Sequence, residues 1–275
     1  MSMTPLFSAD GMRRLQEVAR PGLLCAFDFD GTLAPIVTVP GQAGMPQPIA
    51  QKLQRLASLA PIAIITGRAL DDIRPRLPFA PDFLVGNHGL EGLPGWEAHA
   101  ADHERLCAAW LRQLTEALHG RPEAEGIALE DKRYSLSVHY RVAPSAQRAR
   151  SFLDTVFAAL SPQPRVVSGK CVYNLVPEAA CHKGAALERL IASCGARAAL
   201  YAGDDVTDED AFRVKRPDLL SVRVEASAES EADCYLPSFD DMAGLLDELI
   251  ARLEAQGAAN WMRAAGAAGR TAPAR

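Results

Sequence analysis

The chain contains no Cys-x-x-Cys pair; its six cysteines, Cys25, Cys107, Cys171, Cys181, Cys194 and Cys234, are scattered. That spacing supports neither a zinc ribbon nor a thioredoxin-type motif. Several of the six lie in apolar runs, so buried, reduced thiols are expected. No apolar run approaches the ~18 residues of a membrane span. The opening Met-Ser-Met-Thr-Pro lacks the basic-then-apolar order of a secretory signal. These absences predict a cytoplasmic protein that does not engage a membrane. Cations are in deficit: 29 Lys and Arg stand against 34 Asp and Glu, for a net charge of −5. Bulk nucleic-acid binding is thereby excluded. An anionic small molecule is not, because local cations matter more than the sum. What is present is ordinary globular composition, 48% hydrophobic and 23% charged over 275 residues. That length fits one large domain or two modest ones, with a real core in either case.

The apolar run Leu23-Leu24-Cys25-Ala26-Phe27 reads as a buried parallel strand. After a Pro/Gly-rich stretch, Ile49, Leu53, Leu56 and Ala60 recur at helical spacing, and Ile62-Ala63-Ile64-Ile65 reads as a second short strand. Strand, helix, strand is most economically a parallel sheet. Phe83-Leu84-Val85 is a third strand, running into a glycine-rich segment. The pattern then changes. Leu106, Trp110, Leu114 and Leu118 share one helix face, and Tyr134, Leu136, Val138 and Tyr140 alternate with polar residues as in a half-exposed antiparallel strand. Phe152, Val156 and Leu160 mark another helix, and Arg165-Val166-Val167 and Cys171–Val176 two further strands. From His182 the α/β rhythm returns, with a helix over Lys183–Cys194, strands at Ala198–Ala202 and Leu219–Val224, and a final helix capped by Ser238. The expected organisation is an α/β parallel-sheet core in two parts, residues 1–92 and 180–256. An α+β insertion at 93–179 interrupts it, and a flexible tail follows at 257–275.

Three core strands end in polar clusters: Asp28 and Asp30 after the first, Thr66 after the second, and Asp204, Asp205 and Asp208 after the strand at 198–202. In an open parallel sheet, ligands bind beyond the carboxyl ends of the strands, so all three clusters line one edge. Paired carboxylates there are costly unless a cation or a proton offsets them. Asp28 and Asp204 are candidates to share a hard cation. Mg2+ is preferred, since it takes carboxylate oxygens and keeps water positions open for a phosphate. A calcium EF-hand opening at Asp28 is excluded, because the required Gly and Glu are Leu33 and Val39 here. Singly, each cluster also fits a polar turn or a solvated helix start; their joint occurrence at strand ends does not. Phosphoryl transfer gives each residue a task. An aspartate can attack phosphorus and form an aspartyl-phosphate. Asp30 protonates the leaving alcohol, provided neighbouring anions keep it protonated. Thr66 and Lys183, the latter at a helix start, hold phosphate oxygens. Ser168-Gly169-Lys170 is not a P-loop, lacking the upstream glycine and the following Ser or Thr.

Phe27-Asp28-Phe29-Asp30-Gly31-Thr32-Leu33, Thr66-Gly67-Arg68, Lys183 and Gly203-Asp204-Asp205-x-x-Asp208-Glu209, in that order, resemble the four motifs of the haloacid dehalogenase superfamily of phosphatases. The resemblance implies a Rossmann-like core with Asp28 as nucleophile and Asp30 as general acid/base. It implies Mg2+ held by Asp28, the Asp30 main-chain carbonyl and Asp204, with phosphate bound by Thr66 and Lys183. Asp205 or Asp208 would steady Lys183 or the metal's waters. The insertion is similar to the type-2 caps of that superfamily.

Glu130-Asp131-Lys132-x-x-Ser135-Leu136-Ser137-Val138-His139-Tyr140-Arg141 and Ser168-Gly169-Lys170-Cys171-Val172 resemble the trehalose-6-phosphate phosphatase family. So do Ile65-Thr66-Gly67-Arg68, Gly86-Asn87-His88-Gly89-Leu90-Glu91 and the segment from Gly203 to Glu209, and the likeness spans about residues 22–250. It implies Mg2+-dependent hydrolysis of a small-molecule sugar phosphate, trehalose 6-phosphate. Gly67, Arg68, Lys132, His139, Arg141, Lys170 and Asn174 would surround the substrate. Asn174 departs from the family, which usually places Glu there; its amide oxygen accepts a hydrogen bond but carries no charge. Two other readings share the core. One is a capped phosphatase acting on sucrose phosphate or mannosyl-phosphoglycerate. The other is a non-catalytic sugar-phosphate sensor, which missing motif residues would favour; none is missing.

Overall fold

The computed structural model describes residues 3–37, 40–93, 95–169, 171–178 and 181–268, leaving aside the side chains of 40 and 258–268. In chain order the elements are β1 (Thr4–Pro5), α1 (Ala9–Val18), β2 (Leu23–Phe27), α2 (Gln47–Ala57), β3 (Ile62–Ile65), α3 (Leu70–Ile73), β4 (Phe83–Val85), α4 (Glu97–Leu118), β5 (Ala128–Asp131), β6 (Leu136–His139), α5 (Ala146–Ala158), β7 (Arg165–Gly169), β8 (Val172–Val176), α6 (Lys183–Cys194), β9 (Ala198–Gly203), α7 (Glu209–Phe212), β10 (Leu219–Val224), β11 (Cys234–Leu236) and α8 (Met242–Ala268).

Seven strands form one sheet in the order β1-β11-β10-β9-β2-β3-β4, every pair parallel. The alternation of β2 explains its unbroken apolar run. Leu23, Cys25 and Phe27 pack on one face with Leu15 of α1, Leu53 of α2 and Leu246 of α8. Leu24 and Ala26 pack on the other with Leu187 and Leu190 of α6 and Phe212 of α7. A strand covered on both faces has no polar side to show. From β2 the chain builds outward to β3 and β4. After the antiparallel sheet it returns to the opposite side of β2 and builds through β9, β10 and β11. The direction of winding reverses between β2 and β9, and a cleft opens at the carboxyl ends of strands at such a reversal.

Between β4 and α6 lies a four-stranded antiparallel sheet, β5-β6-β8-β7. Trp110 and Leu114 of α4 and Leu153 and Phe157 of α5 cover one face, against Leu136, Val138, Tyr173 and Leu175. The second face differs from the half-exposed strand expected at 134–140: Ser135 and Ser137 are as buried as their apolar neighbours. At its Ser135 end the parallel-sheet core covers that side, while Ser137 and His139 line a cleft between the two sheets. Lys132 Nζ donates to Gly67 O (3.1 Å), Ser135 Oγ to Asn87 Oδ1 (2.7 Å) and Asn87 Nδ2 to Lys132 O (3.1 Å).

The cysteines also depart from expectation. All six are free thiols, but only Cys25, Cys107 and Cys234 are buried. Cys171, Cys181 and Cys194 are partly exposed because each sits at or just outside an element's end. The last helix is entered through a capping box, Ser238 N donating to Asp241 Oδ2 (3.0 Å), and runs through Gly257 to Ala268. Among the described residues, no helix is long and apolar enough to cross a membrane.

Candidate active site

Asp28 follows the last residue of β2, and its N–H donates to Ala202 O (2.9 Å), so β9 fixes its position. Asp204 follows β9 directly. The two segments approach closely at Gly31 (φ +83°), where a Cβ would lie 2.1 Å from Asp204 Oδ2; only glycine fits both the angle and the space. Lys183, the first residue of α6, is 2% exposed. Its Nζ donates to Asp28 Oδ1 (2.9 Å) and to Asp208 Oδ1 (2.7 Å). Asp208 is wholly buried and fully used: Oδ2 accepts from the N–H groups of Asp204 (3.1 Å) and Asp205 (3.0 Å), and Oδ1 also accepts from the Tyr201 hydroxyl. Of the two aspartates left open by the sequence, Asp208 contacts Lys183, and Asp205 lines the cleft.

The electrostatics call for a second cation. Burial pushes Asp28 up to about 7, with Lys183 opposing and Asp208 adding to the rise. Burial, then the charges of Asp28 and Asp208, push Asp204 up to about 9. One oxygen from each of Asp28, Asp204 and Asp208 lies within 4.8 Å of the others. Asp208 is committed elsewhere, but Asp204 Oδ1 is enclosed and has no hydrogen-bond partner. One ammonium cannot balance two buried acids and a third half-buried beside them. A divalent cation shared by Asp28 and Asp204 would satisfy the orphaned oxygen and restore both carboxylates to the ionised form. Hard oxygen donors suit such an ion, so the residues fit one.

Asp30 points to a different partner. Arg68 Nε donates to Asp30 Oδ2 (2.6 Å) and Arg68 Nη2 to Oδ1 (2.6 Å). Such a two-pronged pair occupies both carboxylate oxygens, whereas the role expected from sequence needs Asp30 beside the departing sugar oxygen. Arg68 Nη1 also donates to Asp72 Oδ2 (2.6 Å), and Arg76 Nη2 to Asp72 Oδ1 (2.6 Å). Thr66 is buried just past β3, its Oγ1 accepting from Arg68 N (3.2 Å).

Above these residues a cleft of about 240 Å³ is lined from below by Asp28, Asp30, Lys183 and Asp204, and from the antiparallel sheet by Lys132, Ser137, His139, Arg141 and Asn174. Gly67 and Arg68 also line it. Lys132 is pushed below its ordinary value, chiefly by burial. His139 Nε2 lies 2.8 Å from Glu130 Oε2, and this contact is the main reason Glu130 falls below the ordinary carboxylate range. Asn174 faces Ser137 across the β6–β8 pair, and Ser137 Oγ donates to Asn174 Oδ1 (2.6 Å). The acceptor that Asn174 was expected to offer a sugar is therefore engaged. Lys170 lies outside the described residues.

Several participants carried no sequence signal of their own. Tyr201 reads as an apolar strand residue, yet its hydroxyl supports Asp208. Glu130, Ser137 and His88 read as polar residues within longer segments, and all three line the cleft. Asp72 was discoverable: it stands four residues after Arg68 at the start of a helix, the spacing at which opposite charges meet.

Compared with known proteins, residues 26–239 match the family model described as Trehalose-phosphatase. A Mycobacterium tuberculosis protein named trehalose-phosphate phosphatase is 34% identical over 203 residues, covering 70% of this chain and 51% of the relative. An uncharacterized glycosyl hydrolase of the same organism is 35% identical over 226 residues, covering 74% of this chain and 16% of the relative. The chain thus spans about half the length of the phosphatases it matches and a smaller share of the hydrolase. The solved C-terminal domain of Candida albicans trehalose-6-phosphate phosphatase superposes with a TM-score of 0.69 at 22% identity, covering 91% of this chain and 99% of that one, a likeness of fold.

Proposed function

The chain belongs to the trehalose-phosphatase family, and from that premise we propose that it hydrolyses trehalose 6-phosphate to trehalose and phosphate. One observation carries the reading. The buried Asp28–Lys183–Asp208 assembly and the orphaned Asp204 oxygen open into the same cleft as the polar face of the antiparallel sheet. The lower wall is built for a phosphate and a cation, the upper wall for hydroxyl groups.

Asp28, Asp204 and the main-chain carbonyl of Asp30 would hold Mg2+, which when bound supplies charge neutralisation between the nucleophile and the phosphate dianion. Asp28 attacks phosphorus, the bond to the sugar oxygen breaks, and an aspartyl-phosphate forms. Lys183 orients Asp28 and offers its ammonium to the phosphate; Asp208 and Tyr201 hold Lys183 in place. Asp30 gives a proton to the departing sugar oxygen and takes one from the water that hydrolyses the intermediate. To do so it must exchange Arg68 for the substrate. Asp72 already shares that guanidinium and can keep it when Asp30 leaves. Residues 93–179 act as the cap, and Lys132, His139, Arg141 and Asn174 contact the sugar. Pairing of the antiparallel sheet with the core through Lys132 and Asn87 closes the cleft against water in the first step.

Phosphate release from a panel of trehalose 6-phosphate, sucrose 6-phosphate, glucose 6-phosphate and mannosyl-phosphoglycerate at fixed Mg2+ tests the substrate. A strong preference for trehalose 6-phosphate is expected; equal rates across the panel reject the assignment.

A further inference from the structure

His88 has no task in the scheme above, yet its surroundings are built with care. It sits in the turn after β4, where Asn87 (φ 47°) and His88 (φ 59°) both take the left-handed conformation. Two consecutive non-glycine residues in that region are costly and persist only where the surroundings impose them. Here the turn is stitched to the loop after β3: His88 N donates to Thr66 O (2.9 Å) and Asn87 N to Arg68 O (2.8 Å). The imidazole packs against Gly67, where a Cβ would come within 2.4 Å of Cε1 and 2.6 Å of Nε2. His88 thereby lines the cleft beside Asp28 and Lys183.

The two ring nitrogens differ. Nδ1 is enclosed and has no hydrogen-bond partner. An enclosed N–H without an acceptor is rarely tolerated, and an unused lone pair is the lesser penalty. The proton therefore belongs on Nε2. Burial, then the nearby charges of Lys183, Lys132 and Arg165, hold the ring well below its ordinary value, so it is neutral.

We propose that His88 is a fixed, neutral hydrogen-bond donor, its Nε2–H binding a phosphoryl oxygen of the substrate. Such a bond to a charged oxygen is stronger than one to a neutral acceptor, and a donor locked in place needs no reorganisation when charge shifts during transfer. The inference rests on the phosphatase reading for the identity of the anion. It extends that reading by adding a substrate-contacting residue next to Lys183.

The test uses the full chain with its histidines labelled with ¹⁵N. The His88 signal is expected to show the Nε2–H neutral form from pH 5.5 to 8.5, and inorganic phosphate added with Mg2+ should shift Nε2. In kinetics, His88→Asn accepts the left-handed backbone but is too short to reach. It should lower kcat/KM about 10- to 100-fold, while His88→Gln, whose amide nitrogen falls near Nε2, recovers most of the loss. An Nε2 signal indifferent to phosphate overturns the proposal, as does a His88→Asn enzyme within about twofold of wild type or a Gln variant no better than Asn. Failure of wild type to cleave trehalose 6-phosphate is a separate outcome: it sinks the substrate assignment, and the phosphate-induced shift still decides the role of His88.

Discussion

Replacing Lys183 by Met removes the ammonium and keeps much of the side chain's bulk. In the native arrangement that ammonium is shared by Asp28 and Asp208, whose side chains are 6% and 0% exposed, at 2.9 and 2.7 Å. Deleting one member of a buried ionic group leaves its partners uncompensated, at a cost of about 3–5 kcal/mol. For a domain of this size each kcal/mol lowers Tm by about 2–4 °C, so a fall of about 6–20 °C is expected. The loss should depend on pH. Burial raises Asp28 and Lys183 opposes the rise, so without Lys183 it holds its proton more tightly still in the folded state than in the unfolded one. Its contribution is intact below about pH 4 and is lost as pH rises. The Tm deficit should therefore be larger at pH 8 than at pH 5. Adding Asp208→Asn removes one of the stranded charges while an amide oxygen can still accept from Asp204 N and Asp205 N. The double variant should be more stable than the sum of the singles predicts by at least about 1 kcal/mol. Thermal and urea unfolding at both pH values, with chelator present, supply the measurement. A single-variant loss under about 1 kcal/mol, or one equal at both pH values, would refute the reasoning.

Metal-free protein should lose stability as pH rises from about 4 towards 9, because burial raises Asp28 to about 7 and Asp204 to about 9. Added Mg2+ should then raise Tm more at pH 8.5 than at 5.5, and a gain independent of pH would contradict the shared-cation assignment. Gly67→Ala places a Cβ 2.4 Å from the His88 ring; overpacking of this kind costs about 1–3 kcal/mol, and kcat/KM should fall at least about tenfold. Unchanged kinetics would mean that the ring has room to move. Ser137→Ala removes the hydroxyl that holds the Asn174 amide in place in the cleft wall. KM for trehalose 6-phosphate should rise, while turnover of p-nitrophenyl phosphate, which has no sugar to recognise, stays unchanged; equal effects on both would place Ser137 outside sugar recognition.

The parallel-sheet core was legible because its strands are buried on both faces. Leu23–Phe27, Ile62–Ile65 and Ala198–Ala202 leave no polar alternation to confuse with a surface strand. Their ends were legible too, because Asp28, Thr66 and Asp204 break unbroken apolar runs. The elements that went unread are mostly short: β1, β11, α3 and α7 span two to four residues each, too few for a period to emerge. Helix α1 is different. Ser8 caps it, Gly11 N donating to Ser8 Oγ (3.2 Å), and Leu15 and Val18 are buried, so its signals were available. Strand β6 marks the limit of periodicity. Alternation correctly gave a strand and an apolar face, but it cannot say whether a polar face meets water or another part of the chain. Ser135 meets the core, and Ser137 meets Asn174 of the neighbouring strand at the cleft. The same limit hid the Arg68–Asp30 pair, since two residues 38 positions apart carry no local sign that they meet.

The central claim is that four distant segments of the chain act on one phosphate with one divalent cation, and Asp28 is where they meet. Phosphate release from trehalose 6-phosphate, measured for wild type and Asp28→Asn with Mg2+ and with EDTA, tests it most directly. Turnover by wild type in Mg2+ alone is expected, together with none by a folded Asp28→Asn enzyme in either condition. Substantial release by Asp28→Asn, or by wild type in EDTA, would contradict it.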